Sequence, residues 1–219
     1  MDMFVDKFNL TIEENVFLAK KALVTNIYNS ARLEGINVTF PETKTILDGV
    51  NVSGVRLDEI TTILNMRDAW KEILNSIDSE IDIDYICKIN SFVSRNESLE
   101  WGVLRTGKVG ITGVDYEPSI PEKEIVVKDL NNILNIDNIT LRAIKYMLYG
   151  MRSQLFWDGN KRTSMIIANK IMISNGKGII TVKEEFLLEF NRLLTDYYNT
   201  GNDEKIVLFI YENCIFGLE

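Results

Sequence analysis

The segment from residue 161 to residue 175 carries apolar side chains on almost every face of a helix. Seven apolar residues lie within only nine positions: Met165, Ile166, Ile167, Ala168, Ile171, Met172 and Ile173. A helix that lacks a polar face is stable only where other elements surround it. The sequence therefore predicts a chain folded around one central helix, so that the residues just before position 161 open from the core.

Helical spacing of apolar residues also dominates the rest of the chain. A capping box of Thr11 with Glu14 starts a helix predicted to run to about residue 33. Further helices are predicted after Pro41 and over 57–77, 83–93, 122–134, 141–153, 161–175, 183–198 and 203–216, with a second capping box of Thr181 with Glu184. We expect an all-α fold in a single domain over residues 1–219, with residues 141–175 as its core helix–loop–helix.

Residues 103–118 break the helical pattern. Gly107, Gly110 and Gly113 alternate there with Val and Ile, a composition typical of turns and short strands. We predict one small β-hairpin over this segment, which we call the flap.

Composition excludes several function classes. The chain has no histidine, so catalysis by a Ser-His-Asp triad and zinc sites built on histidine are ruled out. Its 32 acidic and 24 basic side chains give a net charge of -8, which argues against a broad nucleic-acid surface. Cys87 and Cys214 are predicted to be buried thiols. With no signal peptide in the first ten residues and no apolar run long enough for a bilayer, we expect a cytoplasmic protein without a membrane segment.

Residues 154–163 carry the chemistry at the start of the central helix. Gly159 permits an unusual backbone turn and Asn160 can cap a helix. The free N–H groups of a first helical turn attract anions, and Lys161 and Arg162 add positive charge there. Asp158 beside such a cradle suits Mg²⁺. The alternative interpretation is an ordinary capped helix with two solvated cations.

This stretch resembles the signature of Fic/Doc proteins, H-x-F-x-D/E-G-N-G/K-R. The matching residues are Phe156, Asp158, Gly159, Asn160, Lys161 and Arg162. Ser30, Glu34 and Gly35 resemble the inhibitory motif of that family, S/T-x-x-x-E-G/N, at the end of a candidate inhibitory helix over residues 11–35. The flap at 103–118 resembles the segment that precedes the core helices in the family.

The resemblance implies a Fic-like helical bundle that transfers AMP from ATP to a Ser, Thr or Tyr hydroxyl of a target protein. It implies that Asp158 holds Mg²⁺ on the nucleotide. It further implies an anion hole of Gly159, Asn160 and Lys161, a phosphate contact from Arg162, and Phe156 as a core anchor. Target docking would fall to the flap backbone at Val109, Gly110, Ile111, Thr112 and Gly113.

Two positions depart from the family pattern. Gln154 occupies the place of the histidine that accepts the proton from the attacking hydroxyl, and an amide is not a base at neutral pH. Met165 replaces a second arginine with which the inhibitory glutamate pairs in many members, so a Glu34 that reaches the site must meet Lys161, Arg162 or the metal instead. Lys161 itself resembles the Doc branch, which transfers a phosphate.

These departures leave several functions open. The chain is either a slow transferase restrained by Glu34, with AMP or phosphate as the transferred group, or an inactive nucleotide-binding module. A purely structural partner protein without a ligand is a third hypothesis. The target protein is not readable from the sequence, and a homo-oligomer stays open.

Overall fold

The computed structural model describes residues 4–218, so residues 1–3 and 219 of the predicted domain lie outside the described residues. In that range the α-helices are α1 (Ile12–Lys21), α2 (Leu23–Leu33), α3 (Phe40–Leu47), α4 (Leu57–Asn75), α5 (Ile83–Val93), α6 (Lys123–Leu134), α7 (Ile139–Ser153), α8 (Asn160–Ile173), α9 (Leu187–Thr200) and α10 (Glu204–Asn213). Two short strands, β1 (Ile179–Ile180) and β2 (Ile215–Phe216), pair antiparallel, and a 3₁₀ turn covers Glu184–Phe186. The predicted mostly helical fold class is confirmed.

The central helix is α8. All its residues from Arg162 to Ile173 are buried. Helix α7 crosses it closely at Gly150, because a Cβ there would collide with Ser164. This crossing fixes the end of α7 relative to the start of α8 and so sets the loop between them.

Two buried polar residues tie α8 to its neighbours. The side chain of Asn169 exchanges hydrogen bonds with the backbone of Ile180, at 2.9 Å each, and so attaches β1. Lys170 is 1% exposed, and its Nζ donates to the carbonyls of Ser76 at 2.6 Å and Ile77 at 2.9 Å, just past α4. These bonds satisfy polar groups that would otherwise be costly inside the core.

The predicted long N-terminal helix is two helices. The capping box of Thr11 with Glu14 is confirmed, but the helix ends at Ala22 (φ -88°, ψ 2°), where α2 starts. Helix α1 packs on α8, whereas α2 packs on α3 and α4. Tertiary packing therefore decides the break, since alanine is the best helix former.

The predicted capping box at Thr181 is wrong, because its side chains serve α2 instead. Thr181 Oγ1 accepts a hydrogen bond from Asn29 at 3.0 Å. Glu184 pairs with Arg32 at 3.0 Å and accepts a short hydrogen bond from the Tyr28 hydroxyl. Thr181 and Glu184, which the sequence assigns to a helix cap, therefore hold α2 against the segment between β1 and α9.

The predicted hairpin is also misplaced, because residues 103–118 form no strand. Among the described residues, the backbone hydrogen bond inside this segment joins Val114 N to Ile111 O at 3.1 Å. The carbonyls of Gly107 and Pro118 accept from the buried guanidinium of Arg105 instead. Hydrogen bonds from the Arg105 side chain are found where a hairpin would have backbone hydrogen bonds between its strands.

The two cysteine thiols lie in the core or pack against it. Cys214 is buried, and Cys87 is half-buried; both are free. Within residues 4–218, each helix is too short or too polar to cross a bilayer.

Candidate functional site

The loop between α7 and α8 has two residues in the left-handed backbone region. Gln154 ends α7 with φ 47° and ψ 58°, and Gly159 precedes α8 with φ 72°. Gly159 is required for a second reason, since a Cβ would lie 2.8 Å from Val93 Cγ1. The Asp158 carbonyl accepts from Ser94 Oγ at 2.9 Å, which anchors the loop to the end of α5.

The Gln154 amide is hydrogen-bonded through both its nitrogen and its oxygen. Its Nε2 donates to the Met151 carbonyl at 2.7 Å, and its Oε1 accepts from Asn160 Nδ2 at 3.0 Å. Asn160 also exchanges bonds with the backbone of Phe156, at 2.9 Å and 2.8 Å. The position that the family resemblance assigns to a base thus holds a neutral, oriented amide, and Phe156 is a buried packing residue as expected.

Arg162 lies among three carboxylates. Its side chain is 4% exposed, with Glu97 Oε2 at 2.7 Å, Asp158 Oδ1 at 3.3 Å and Glu34 Oε2 at 3.9 Å. Burial disfavours its charge, but the carboxylates outweigh burial and raise the pKa of Arg162. Its Nε is buried without a hydrogen-bond partner in the described part of the chain, and Glu34 Oε2 is 3.9 Å from it.

Sequence reasoning missed Glu97. Its carboxylate accepts from Thr62 Oγ1 at 3.1 Å and Asn65 Nδ2 at 2.7 Å, both on α4, while it holds Arg162. No motif marks a glutamate that follows a helix by four residues, because its partners come from another helix. Glu97 therefore holds the Nη1 end of the guanidinium, whereas Glu34 lies nearest Nε.

The other cation of the cradle contacts the end of α2. Lys161 Nζ donates to the Leu33 carbonyl at 3.3 Å and lies 3.7 Å from Glu34 Oε1. Ser30 is buried and its carbonyl accepts from Glu34 N at 3.1 Å, while Gly35 turns the chain with φ 82°. The structure thus brings the predicted regulatory residues to the predicted phosphate cradle.

Two cavities flank this contact. The larger, about 570 Å³, is lined by Glu34, Gly35, Ile36, Arg56, Asp58, Glu59, Thr61, Thr62, Asn96, Glu97, Asp158 and Arg162. The smaller, about 430 Å³, is lined by Leu33, Gly110, Ile111, Thr112, Val114, Gln154, Lys161, Asn191, Leu194, Thr195 and Tyr198. Glu34 and Lys161 form part of the partition between the two cavities.

The flap lines the smaller cavity together with Gln154. Gly110, Ile111 and Thr112 line it, whereas Val109 and Gly113 do not. The backbone N–H groups of Val109, Gly110 and Thr112 have no hydrogen-bond partner within residues 4–218.

Asp158 fits a magnesium ion as a single ligand. Its side chain is 44% exposed, and only Oδ1 is engaged, by Gly159 N at 2.6 Å and by Arg162. Among the described residues, no group of three or more Asp, Glu, Cys or His side chains could hold a metal. Mg²⁺ bound here would rely on phosphate oxygens and water, which is its usual preference.

The helical fold and this loop define a class of helical domain with a central helix–loop–helix. Residues 80–172 match the model of the Fic/DOC family. This match over residues 80–172 agrees with the resemblance of the motif.

Curated relatives have the same kind of domain. "Protein adenylyltransferase Fic" of Drosophila melanogaster is 26% identical over 200 residues, covering 87% of this chain and 40% of the relative. The protein of the same name in Drosophila erecta gives the same identity and coverage. The chain thus spans about two fifths of the length of these relatives.

Solved structures share the fold. The 134–508 fragment of Fic-1 from C. elegans superposes with a TM-score of 0.77 at 23% identity, over 90% of this chain and 62% of that one. IbpAFic2 in complex with adenylylated Cdc42 superposes with a TM-score of 0.53 at 14% identity, over 92% and 85%. At these identities the likeness establishes the architecture.

Proposed function

We propose that this protein binds ATP with Mg²⁺ at the start of α8 and is a slow protein adenylyltransferase restrained by Glu34. The observation that carries the proposal is the free Nε of the buried Arg162, beside Lys161 at the N-terminus of a buried helix. A helix N-terminus and two cations attract phosphate. The names of the Drosophila relatives support the adenylyl group as the one transferred.

Each residue of the cradle has a role in this proposal. The backbone of Gly159, Asn160 and Lys161 receives the phosphate to be attacked, and Arg162 binds the phosphates beyond it. Asp158 holds Mg²⁺, which would supply charge neutralisation on the nucleotide when bound. The exposed Asp158 carboxylate with its unengaged oxygen supports that role.

Gln154 makes the reaction slow. In AMP transfer, a bond forms between the target hydroxyl oxygen and the α-phosphorus, and the bond from that phosphorus to pyrophosphate breaks. The hydroxyl proton must leave to water, because the Gln154 amide cannot accept it. Loss of a positioned base costs about 10²- to 10⁴-fold in rate.

Glu34 restrains the site by occupying its cations. It lies 3.7 Å from Lys161 Nζ and 3.9 Å from Arg162 Nε, the groups that a phosphate would contact. The ties from Glu184 to Tyr28 and Arg32 keep α2 in that position. Nucleotide and Glu34 compete for the same charges.

The target chain docks on the flap. Free N–H groups at Val109, Gly110 and Thr112 support pairing with an extended segment of the target, which binds backbone with little demand on sequence. This places a target hydroxyl beside the cavity lined by Gln154 and Lys161.

An inactive nucleotide-binding module is the second candidate function. The observation that favours it is the neutral Gln154 amide, held on both sides by Met151 and Asn160. Transfer of the terminal phosphate is a variant of the first function, and the Lys161 residue is what favours it.

Nucleotide binding can be tested by calorimetry and thermal unfolding with ATP and Mg²⁺. At 100 times Kd, ATP should stabilise wild type by about 2.7 kcal/mol, a rise in Tm of about 5–10 °C. Arg162→Ala and Lys161→Ala should abolish most of the shift. Lys88→Ala, which removes a lysine paired with Glu72 on the surface, should keep it. A wild type without any shift would refute ATP binding.

A further inference from the structure

Arg105 joins the flap to the first residue of the motif loop. Its Nε donates to the Gln154 carbonyl at 2.5 Å, and its Nη2 donates to the carbonyls of Pro118 at 3.2 Å and Ser119 at 2.6 Å. Nη1 donates to the carbonyl of Gly107. One planar guanidinium therefore bonds the loop, Gly107 within the flap and the chain at the end of the flap, a geometry that lysine cannot reproduce.

The burial of Arg105 is unusual for a charge. The side chain is 1% exposed, and unlike Arg162 it pairs with no carboxylate in the described part of the chain. Burying a charge without a counter-ion is costly. Only its bonds to backbone carbonyls offset that cost, so Arg105 keeps its place only while the flap and the loop stay together.

Gln154 and the flap, the two segments that Arg105 joins, both need hydrogen bonds that hold their backbones in place. Gln154 has a left-handed backbone, which costs about 1 kcal/mol or more in a residue other than glycine. The flap has no strand partner, and beyond Arg105 its backbone is tied by the bond of Asp115 N to Asn199 Oδ1 at 3.1 Å. Without the Arg105 side chain, the bond from Arg105 N to the Leu155 carbonyl at 3.0 Å would be the remaining backbone link between the flap and the loop among the described residues.

We propose that Arg105 is a positioning residue that fixes the backbone conformation at position 154 and the position of the flap relative to it. It touches neither nucleotide nor target, and acts through the carbonyls of Gln154, Gly107, Pro118 and Ser119. Its catalytic consequence rests on the proposed function, whereas its positioning role can be measured without any transfer reaction. Asn160 holds the side chain at position 154, and Arg105 holds the backbone.

The absence of histidine offers a direct probe of position 154. Gln154→His creates the single histidine of the chain, so the resonance of its Hε1 ring proton in an NMR spectrum reports that site alone. With Arg105 intact, we expect one narrow resonance. With Arg105→Met or Arg105→Lys added, the resonance should broaden or split, because the backbone at position 154 samples more than one conformation.

Flap order is measured in the same proteins by a lysine-specific protease. Lys108 is exposed in the flap, and Lys71 is exposed on α4. Either Arg105 variant should raise cleavage at Lys108 at least about tenfold and leave Lys71 unchanged, because the opening is local. Arg142→Met is the matched control, since Arg142 also donates to a backbone carbonyl, that of Ile136 at 2.8 Å.

Three results would overturn the proposal. Folded Arg105 variants with the same histidine resonance and the same Lys108 cleavage as the control would refute positioning. Failure of both Arg105→Met and Arg105→Lys to fold would assign Arg105 to the stability of the fold. An equal rise in cleavage at Lys71 would do the same. A Gln154→His, Glu34→Gly protein that transfers no label would refute the proposed function without touching these readouts.

Discussion

Replacing Glu34 by Gln should make ATP bind more tightly. The change removes one charge that lies 3.7 Å from Lys161 Nζ and 3.9 Å from Arg162 Nε. At an effective dielectric constant of about 20, each such pair is worth about 4 kcal/mol. Water reduces this, because the side chains of Glu34 and Lys161 are 20% and 32% exposed. We take about 1–2 kcal/mol as the net free energy by which Glu34 opposes ATP binding. Its removal should therefore lower the Kd for ATP about 5- to 30-fold.

The assay is calorimetric titration of ATP with Mg²⁺ into wild type and Glu34→Gln. Glu59→Gln is the matched control, because Glu59 lines the same cavity but forms no ion pair with Lys161 or Arg162. It accepts a hydrogen bond from Arg56 N, which glutamine can also accept. The control should change the Kd by less than about twofold, in line with screening of distant charges. Equal effects of the two variants, or no effect of Glu34→Gln, would refute direct competition.

Two further predictions concern stability. Gly159→Ala should lower the free energy of unfolding, measured in urea, by about 2 kcal/mol or more, because φ is 72° and the site lacks room for a Cβ. Gly110→Ala is the control: a Cβ there would meet open space, so the change should cost under about 0.5 kcal/mol. Burial lowers the pKa of Lys170 from 10.5 to about 8, so between these values the unfolded state binds more protons and the free energy of unfolding should rise with pH. Across that pH window, the free energy of unfolding of wild type, measured by urea titration, should rise by up to about 3 kcal/mol relative to that of Lys170→Met. A difference between the two proteins that does not change with pH would contradict the lowered pKa of Lys170.

Local patterns predicted the helices and the order of the motif residues. The apolar segment of α8 is buried as its composition requires, and Glu34 does lie beside Lys161 and Arg162. The burial of α8 could be predicted because helical period is written in consecutive residues, whereas the position of Glu34 was expected only from the resemblance to the family. The break at Ala22 was not predictable, because α1 and α2 pack on different partners.

Contacts between distant residues account for the errors. Thr181 and Glu184 match a capping box in sequence, yet Asn29 and Arg32 of α2 claim their side chains. The flap alternates like a strand, yet the guanidinium of Arg105 takes its carbonyls. Glu97 had no sequence signal at all, because its role depends on Thr62 and Asn65 of another helix.

The most direct test of the central claim is a transfer assay with α-labelled and γ-labelled ATP, Mg²⁺ and the Gln154→His, Glu34→Gly variant. Restoring a base and removing the competing carboxylate should give α-label on protein, at least about 10²-fold faster than wild type, with no γ-label. Arg162→Ala added to this variant should abolish the transfer. Transfer of γ-label would contradict the adenylyl assignment, and the absence of both labels would leave a protein that binds nucleotide without transferring it.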